Sequence, residues 1–374
     1  VALVERYGVL RGNLTAGYVG PILGMVGSGT MRDELMALLG VPENDMIGEV
    51  GVAHDMEQAK RVLAEFVSCE NLDVFLQTPV VDALMAGASL EGLLVATKEG
   101  LRAMEGKIVI DATGDGDVAW FAGAPVEKGR ADGLMQPVTL EFTLDGVDES
   151  RAVACIGDVD DVELNGERFL DYCARCARQE QLAAVRLHRT THPGQRQGNT
   201  TQRNGIDATC VRALYSSELE LRRQIDILVH FFRENLPGYE KCRCIASGAT
   251  LGVRETRRVM GEYTVTAEEL AAGKRFSDVA VHKAEFIVDI HNPEGAGKDT
   301  VCNALRLALP LFCAAQGGES AHCRTVHFGH TPGACILPGD VNLHGDGRGC
   351  GDGGGTVCSG RLYAPHSGCE KTSG

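Results

Sequence analysis

The sequence predicts an α/β fold that carries an α+β insertion, and three observations support this prediction. Short apolar segments run into glycine-containing loops, as in VALVE (1–5) and KIVIDA (107–112), which is typical of buried parallel strands. A middle section instead alternates apolar and polar residues and precedes a long amphipathic segment. Towards the C-terminus the composition becomes rich in Cys, His and Gly. We therefore predict a first domain over 1–128, a second over 129–298 and a poorly ordered tail over 299–374.

Length, charge and hydrophobicity limit the class of protein. The 374 residues suffice for two domains or for one large α/β unit with an insertion. The formal net charge of −15 would repel nucleic-acid phosphates, so we expect no nucleic-acid partner. No apolar run reaches the roughly 18 residues of a membrane span, and the start of the chain lacks a signal-peptide pattern. We therefore expect a cytoplasmic protein without a membrane span.

The first predicted domain alternates strands and helices. A strand over 1–5 is followed by two segments with helical spacing, 29–40 and 55–69. Residues 72–97 are rich in apolar and β-branched residues and are interrupted at Ala86-Gly87-Ala88, which predicts strands joined by a turn. The apolar run KIVIDA then predicts a buried parallel strand that ends in a glycine-rich loop.

The second predicted domain has a different pattern. Residues 131–147 alternate apolar and polar side chains in their second half, which predicts an antiparallel strand. Residues 216–238 form the clearest helical pattern, in which Ser217 and Glu220 have capping-box spacing and Pro237-Gly238 ends the helix.

Glu5 follows the first predicted strand directly. In dinucleotide-binding folds an acidic residue at the carboxyl end of the second strand binds the ribose hydroxyls, because a carboxylate accepts both O–H donors. A charge that faces water is the alternative interpretation. The glycine fingerprint G-x-G-x-x-G should lie about 20 residues earlier, but only four residues precede Glu5. If Glu5 is the ribose acid, we expect that the first strand and the phosphate-binding turn are missing from this chain.

Five segments together resemble one family. They occur in family order, and they are ERYGVLRGNLTAG (5–17), IDATGDGDVAWFAGAP (110–125), DGLMQPVTLEF (132–142), LGVRETRRVMGEY (251–263) and DIHNPEG (289–295). Over about residues 1–298 the chain resembles FAD-dependent oxidoreductases of the heterodisulfide reductase-like flavoprotein group, which are distantly related to fumarate reductase flavoproteins. The resemblance implies an incomplete Rossmann-like FAD-binding domain of the glutathione-reductase type with an inserted substrate domain.

The resemblance also implies roles for individual residues. It assigns the adenosine ribose to Glu5 with Arg6 beside it, and the adenine edge to the backbone of Val80. The residues implied on the flavin side and at the pyrophosphate and ribityl chain are Gly12, Asn13, Thr15, Thr113, Gly114 and Asp115. Small residues suit such loops because the main chain makes the contacts. Without the resemblance, TGDGD (113–117) also fits a surface turn or a calcium loop, although the further EF-hand ligands are absent.

Candidate catalytic residues can be chosen from the tasks that a bound flavin does not perform itself. FAD transfers the electrons, so the protein must supply position, cations and a proton donor. Arg254, Arg257 and Arg258 can clamp an acidic substrate or brace the flavin. Alternatively, they form internal ion pairs with Glu255 or Glu262. His291 can exchange a proton near neutral pH, although a lone histidine is more often structural.

The cysteines before the tail favour no metal or redox site. Cys173 and Cys176 form a CxxC within a helical pattern and lack the preceding strand of a thioredoxin-type site. Cys242 and Cys244 are spaced too closely to complete a zinc site. Some relatives are associated with iron–sulfur clusters, but no C-x₂-C-x₂-C motif is present, so we predict packed or idle thiols.

The tail has a composition of its own, since seven of the 14 cysteines and 15 of the 47 glycines lie after residue 301. A metal site, a nucleotide loop and disorder are three interpretations, and the first two lack the required spacing. A fourth arises from the codons. Read one base later, those for 344–347 can spell Met-Ala-Met-Gly, and those for 305–313 and 324–331 can also spell segments typical of the family. We predict a one-base frameshift near residue 300, which sequencing of the gene would test.

We therefore expect a FAD-dependent oxidoreductase that transfers two electrons between flavin and a small organic substrate or a partner redox protein. Because of the two aberrant ends, we expect FAD binding by this chain to be impaired. Two alternatives remain open. One is a non-enzymatic metal-binding or interaction protein that uses the Cys/His-rich tail, and the other is a NAD-dependent dehydrogenase that uses Glu5 for NAD.

Overall fold

The structure is a computed structural model that describes part of the chain. The described residues are 1–10, 12–22, 31–40, 53–68, 71–152, 163–164, 166–168, 171, 185–261, 263, 266, 269 and 272–274, together with the backbone of 279–284, 287–290, 298–301, 305–308 and 325–329.

The first predicted domain has the alternating elements that the sequence predicts. Its helices are α1 (Gly12–Thr15), α2 (Met31–Leu39), α3 (Met56–Phe66) and α4 (Asp117–Phe121). Its strands are β1 (Ala2–Val4), β2 (Asp73–Phe75), β3 (Val80–Ala86), β4 (Ser89–Thr97), β5 (Gly100–Glu105), β6 (Val109–Gly114) and β7 (Val126–Lys128). The predicted strand at 1–5, the helices within 29–40 and 55–69 and the strands of 72–97 are confirmed.

A parallel pair, β1 and β2, supports the N-terminal helices. Ala2 lies opposite Asp73, and Val4 lies opposite Phe75. Helix α3 begins at the N-cap Asp55, whose carboxylate accepts the N–H groups of two following residues. The buried side chains of the three helices and their connections form one cluster, namely Leu10, Leu14, Ile22, Leu35, Met36, Leu39, Ala59 and Leu63. Burial of these apolar groups fixes the helices against β1.

Strands β3, β4 and β5 form an antiparallel meander, and the predicted turn at residues 86–88 joins the first two. Gly87 lies in that turn with φ +62°, a conformation that favours glycine. A cluster of Leu90, Val109 and Val118 packs α4 against this meander and against β6. Strand β6 pairs in parallel with residues 325–329, so the prediction of a parallel strand is confirmed. Within the described residues the two parallel pairs do not join into one sheet.

The second predicted domain is built on a four-stranded antiparallel sheet. Its elements are β8 (Val138–Thr139), β9 (Phe142–Asp145), β10 (Glu163–Leu164), β11 (Glu167–Arg168), β12 (Leu187–Arg189), β13 (Arg196–Gly198), α5 (Val211–Asn235), β14 (Arg243–Ser247), β15 (Gly252–Val253) and β16 (Arg257–Val259). The strand order is β12-β13-β9-β14, and two-stranded pairs β10–β11, β15–β8 and β16–β7 accompany it. Helix α5 buries Leu221, Leu228 and Phe232 in the same cluster as Phe142 and Leu144 of the sheet.

The predicted start of the long helix is wrong. Helix α5 begins at Val211, after the N-cap Cys210, which makes no side-chain cap bond. Ser217 therefore lies inside the helix, where its hydroxyl donates to the carbonyl oxygen of Ala213, so the capping-box prediction fails. The end is confirmed, since α5 stops at Asn235 before the Pro-Gly pair.

The later described strands are β17 (Val279–Ala284), β18 (Ile287–Ile290), β19 (Lys298–Val301), β20 (Leu305–Ala308) and β21 (Thr325–Gly329). They form the antiparallel pairs β17–β20 and β18–β19, and β21 is the partner of β6. His291, the Cys173/Cys176 pair and the codon-derived segment 344–347 lie outside the described residues. Among the helices of the described part, none is long and apolar enough to cross a membrane.

Candidate functional site

The carboxyl end of β1 places Glu5 beside the end of β2. The backbone N–H of Glu5 donates to the carbonyl oxygen of Phe75, and its own carbonyl oxygen accepts the N–H of Thr78. One carboxylate oxygen, Oε1, accepts the N–H of Tyr7 at 2.9 Å. Partial burial raises the pKa of Glu5 above its usual value, against the opposing effects of the Tyr7 N–H and the Arg6 charge. Glu5 is thus a fixed acceptor at a strand end.

Arg6 connects this strand end with the glycine-rich loop after β6. Its guanidinium nitrogens lie 4.0 Å from carboxylate oxygens of both Asp115 and Asp117. Because the Arg6 side chain is half exposed, such pairs add little stability. The contact nevertheless brings together residues that lie more than 100 positions apart in the sequence.

Asp111 holds the glycine-rich loop in place. It is fully buried, and its Oδ1 accepts both the N–H and the hydroxyl of Thr113, while Oδ2 accepts the N–H of Ala119. Gly114 has φ +79°, and no atom of the described residues lies within 4 Å of the position a Cβ would take. The main chain at Gly114 is therefore open to a ligand. Asp111 was not predicted as a site residue, although an acidic residue near the end of a buried strand is a signal that the sequence carries.

Arg257 is engaged inside the protein. Its Nη1 donates to Asp117 Oδ1 at 2.7 Å, and its guanidinium lies 5.3 Å from the ring centroid of Trp120. Thr256 donates its hydroxyl to Asp115 Oδ1 at 2.6 Å. Burial raises the pKa of Asp117, the Asp115 charge adds to this rise, and the Arg257 charge opposes it. This geometry favours a bracing role for Arg257 over that of a substrate clamp.

Arg258 is also engaged in an internal contact. It forms an ion pair with Glu255, as the alternative interpretation in the sequence analysis proposes. Glu255 itself is buried and accepts the backbone N–H of Gln136 through its other oxygen. Arg258 is thereby bound to groups of the protein itself.

The short helix α1 carries three of the predicted cofactor residues. Gly12 has φ +38° and, like Gly114, has no atom of the described part within 4 Å of its Cβ position. The carbonyl oxygen of Asn13 accepts the N–H of Val19. The Thr15 side chain is fully buried and donates to the carbonyl oxygen of Leu10, so its hydroxyl serves the local fold. Of the three, Gly12 offers the most accessible main chain.

Val80 lies at the start of β3, opposite Val95 of β4. Its side chain packs against the cluster that includes Val109 and Val118. This packing fixes the backbone at the predicted adenine position, and the adenine contact itself stays a prediction.

The positive charge of Arg254 acts on Glu141, a residue that was not predicted from the sequence as a site residue. Glu141 is buried, and burial raises its pKa to about 8, although the positive charges of Arg254 and Arg186 act in the opposite direction. The signal was present in VTLEF (138–142), since the alternation places Glu141 on the face opposite Leu140 and Phe142. A polar residue in such a position is ordinarily expected to face water.

Neither Cys242 nor Cys244 is in a disulfide. Burial raises the pKa of Cys242 to about 11, which makes its thiolate scarce at neutral pH. Within the described ranges, no group of three or more His, Cys, Asp or Glu side chains is placed to hold a metal ion.

Comparison with known proteins identifies a family. The profile of the family described as FAD dependent oxidoreductase matches residues 1–313, which is most of the chain. No curated protein matches the sequence.

Several solved structures are similar at low identity. A flavin-dependent brominase has 13% identity and a TM-score of 0.39, over 71% of this chain and 63% of that one. A geranylgeranyl bacteriochlorophyll reductase-like protein from Thermoplasma acidophilum has 10% identity and a TM-score of 0.36, over 67% and 58%. A p-nitrophenol 4-monooxygenase from Pseudomonas putida has 12% identity and a TM-score of 0.33, over 55% and 43%. The chain thus spans about half the length of such proteins.

Proposed function

Because the chain belongs to the FAD dependent oxidoreductase family, we propose that it is a two-electron oxidoreductase for a small organic substrate and that residues 1–128 hold the cofactor. FAD is the cofactor of the family, and when bound it supplies the electron transfer. The protein's own residues then have to bind it, orient the substrate and exchange protons.

The fit between chain and cofactor rests on the loop at 113–115. Its main chain is open at Gly114, where a Cβ would meet no described atom, and Asp115 lies beside Arg6 at the end of β1. FAD has hydroxyl groups on its ribose and ribityl chain, and carboxylates accept such donors well. The observation that carries the proposal is the contact of Arg6, the residue after Glu5, with Asp115, beside a loop that is open at Gly114.

Each residue in this region has a distinct task under the proposal. Glu5 accepts the ribose hydroxyls and Asp115 accepts ribityl hydroxyls, while Arg6 balances their charges. Asp111 fixes the loop 113–115 through hydrogen bonds to Thr113 and Ala119, three in all. Arg257 holds the position of Asp117 through its ion pair. The open main chain at Gly12 provides the flavin-side approach.

For the substrate side of the flavin we propose candidate residues without assigning each a contact. Arg254 is the candidate that acts on another functional group, since its positive charge opposes the rise in the pKa of Glu141. His291 stays a candidate proton donor. A partner redox protein as electron acceptor, the heterodisulfide reductase-like subfamily, the frameshifted tail and a cytoplasmic location are likewise proposals.

The two alternative functions are not favoured. The family match is to FAD-dependent enzymes, which argues against a NAD-dependent dehydrogenase. It also includes most of the chain before the Cys/His-rich tail, which argues against a protein whose main task is metal binding through that tail.

Flavin titration tests the proposal. FAD is added to the flavin-free chain, and binding is followed by the quenching of flavin fluorescence. We expect Glu5→Gln to weaken FAD binding roughly tenfold, because hydrogen bonds to a charged acceptor are lost. FMN lacks the adenosine, so its affinity should not change in this variant.

The matched control is Glu99→Gln, since the side chain of Glu99 is 78% exposed in a hairpin, and its FAD affinity should equal that of the wild type. Because impaired binding is expected, the titration extends to the highest soluble FAD concentration. No saturable FAD binding over that whole range, or equal weakening of FAD and FMN by Glu5→Gln, would contradict the proposal.

A further inference from the structure

The four-stranded sheet has one polar face that is turned away from its apolar core. Side chains alternate between faces along a strand, and directly paired residues share a face. Thr143, Gln197 and His188 are paired across β9, β13 and β12, so they lie on one face. The register continues by one position past the strand ends, because the N–H of Asn199 donates to the carbonyl oxygen of Arg186.

Two positions along from Thr143 and His188, Glu141 and Arg186 return to this same face. We call it the polar sheet face, and its members are Glu141, Thr143, Arg186, His188, Gln197 and Asn199.

Three members of the polar sheet face combine deep burial with an atom that has no hydrogen-bond partner among the described residues. Glu141, His188 and Gln197 are 3%, 6% and 1% exposed. The atoms concerned are Glu141 Oε2, His188 Nδ1 and Gln197 Oε1. Buried polar atoms are almost always hydrogen-bonded, because leaving them unpaired is costly. Three such atoms on one face indicate that a polar ligand completes the arrangement.

The charges at this face favour an anion. Burial raises the pKa of Glu141 to about 8, so its carboxyl is mostly neutral at pH 7. Burial and the Arg186 charge lower the pKa of His188 to about 4, so its imidazole is neutral as well. The guanidinium groups of Arg186 and Arg254 keep their charge at all relevant pH values. These four groups therefore carry a net positive charge inside a chain whose overall charge is −15.

The opposing wall is the segment that follows α1. Gln197 Nε2 donates to the carbonyl oxygen of Tyr18 at 2.6 Å. The N–H of Ala249 donates to the carbonyl oxygen of Ala16 at 2.7 Å. A Cβ on Gly248 would lie 3.0 Å from the carbonyl oxygen of Gly17. The polar sheet face is thus held against the part of the chain that, under the proposed function, adjoins the flavin.

We propose that the polar sheet face is the substrate-binding surface of this oxidoreductase and that it takes a small organic carboxylate. Arg186 and Arg254 bind the carboxylate group, since a guanidinium matches the planar geometry of a carboxylate. Glu141 and His188 hydrogen-bond to a second polar group on the substrate. This inference rests on the proposed function, because it names the substrate class for the same enzyme.

Calorimetric titration of the flavin-free chain with succinate tests the site without relying on turnover. We expect succinate to bind, and neutral succinamide at the same concentration not to bind. Arg254→Gln and Arg186→Gln should each weaken succinate binding roughly tenfold or more, because each loses a charge-assisted contact. The matched control is Arg243→Gln on the edge strand β14 of the same sheet, where the side chain is 69% exposed; this variant should bind succinate as the wild type does.

If an Arg→Gln variant fails to fold by circular dichroism, Arg254→Lys replaces it. This change keeps the charge but loses the planar fork, so we expect several-fold weaker binding, and unchanged binding would overturn the proposal. Equal succinate affinity in all variants would also overturn it. Inorganic phosphate that binds through Arg254 while succinate does not would overturn the carboxylate assignment.

Parallel FAD titration of the same protein separates the two proposals. If the wild type binds FAD but does not bind succinate, the proposed carboxylate site is wrong and the proposed function still stands. If the wild type binds succinate through the two arginines but does not bind FAD, the anion site is supported. The oxidoreductase assignment would then be wrong, and so would the claim that the anion is a flavin substrate.

Discussion

The two faces of the four-stranded sheet are both buried, yet they are composed differently. On one face Phe142, Leu144 and Leu187 belong to the apolar cluster that includes the buried side of α5. On the other, Glu141 and His188 are almost as deeply buried but retain polar atoms without partners among the described residues. Glu141 and Phe142 are neighbours in the sequence. The comparison teaches that one face is organised to stabilise the fold, whereas the other accepts a loss of stability to hold groups ready for a ligand.

Removing the largest ring of the apolar face should have the largest effect on stability. We expect Phe142→Ala to lower the free energy of unfolding by about 3–5 kcal/mol, because it removes a fully buried ring and leaves a cavity. Urea denaturation measures this. Leu101→Ala, at a side chain that is 63% exposed, should change stability by less than about 0.5 kcal/mol. A loss below about 1 kcal/mol for Phe142→Ala would show that this face is not the core.

On the polar face, stability should depend on pH through Glu141. Burial raises its folded pKa to about 8, whereas the ordinary value is 4.5. Between these values the folded state holds a proton that the unfolded state has lost. The stabilising contribution is therefore complete below about pH 4.5 and is lost as the pH rises through 8, by up to ~1.4 kcal/mol per pH unit.

We expect Glu141→Gln to remove this dependence and to be more stable than the wild type at pH 8. The free energies of unfolding at pH 5 and pH 8 measure the effect, with Glu99→Gln as the control. Parallel pH profiles for the wild type and Glu141→Gln would contradict a raised pKa of Glu141 in the folded protein.

The backbone opposite Phe142 offers a smaller test of the apolar face. A Cβ on Gly198 would lie 2.6 Å from the Phe142 ring, closer than packing allows. We expect Gly198→Ala to cost about 1–3 kcal/mol through overpacking. Combining it with Phe142→Leu should recover part of that loss, and a double-mutant cycle measures the coupling. Additive effects would mean that the ring does not pack on Gly198.

The smallest effect on stability should come from Ser217, a buried polar side chain on the apolar side of the sheet whose hydroxyl already has a hydrogen-bond partner. Ser217 of α5 is fully buried, and its hydroxyl donates to the Ala213 carbonyl oxygen, which the helix backbone can also satisfy. We expect Ser217→Ala to change the free energy of unfolding by about 1 kcal/mol or less, because alanine also favours the helix. A loss of about 2 kcal/mol or more in thermal or urea unfolding would restore the interpretation of Ser217 as a cap.

Local periodicity was sufficient to predict most elements. The alternation in 138–145 and the apolar spacing of 221–232 locate the sheet and the long helix, because each period reports one buried face. The start of α5 escaped prediction because Cys210 is not a capping residue, while Ser217 has capping-box spacing without lying at a helix end. Periodicity describes one side of an element and does not say what covers the other.

The site was predictable where the residues are adjacent in sequence and unpredictable where topology joins them. The cofactor role of the loop 113–115 is implied by the resemblance to the family and stays a prediction, and the structure places Asp115 4.0 Å from Arg6. The pairing of Arg257 with Asp117 depends on a distant strand, so sequence analysis expected only a neighbouring glutamate as a possible partner. Glu141 was missed because a charge in an alternating strand is normally assigned to solvent.

The pairing of β7 with β16 has a mechanical consequence. Lys128 lies opposite Arg257 and Val126 opposite Val259, so one antiparallel ribbon joins the two ends of the segment 129–256. Such a ribbon resists sliding along its length but bends more readily out of its plane. The residues between its strands therefore begin and end at the same place, so any displacement of this segment as one body would have to bend the ribbon at residues 126–128 and 257–259.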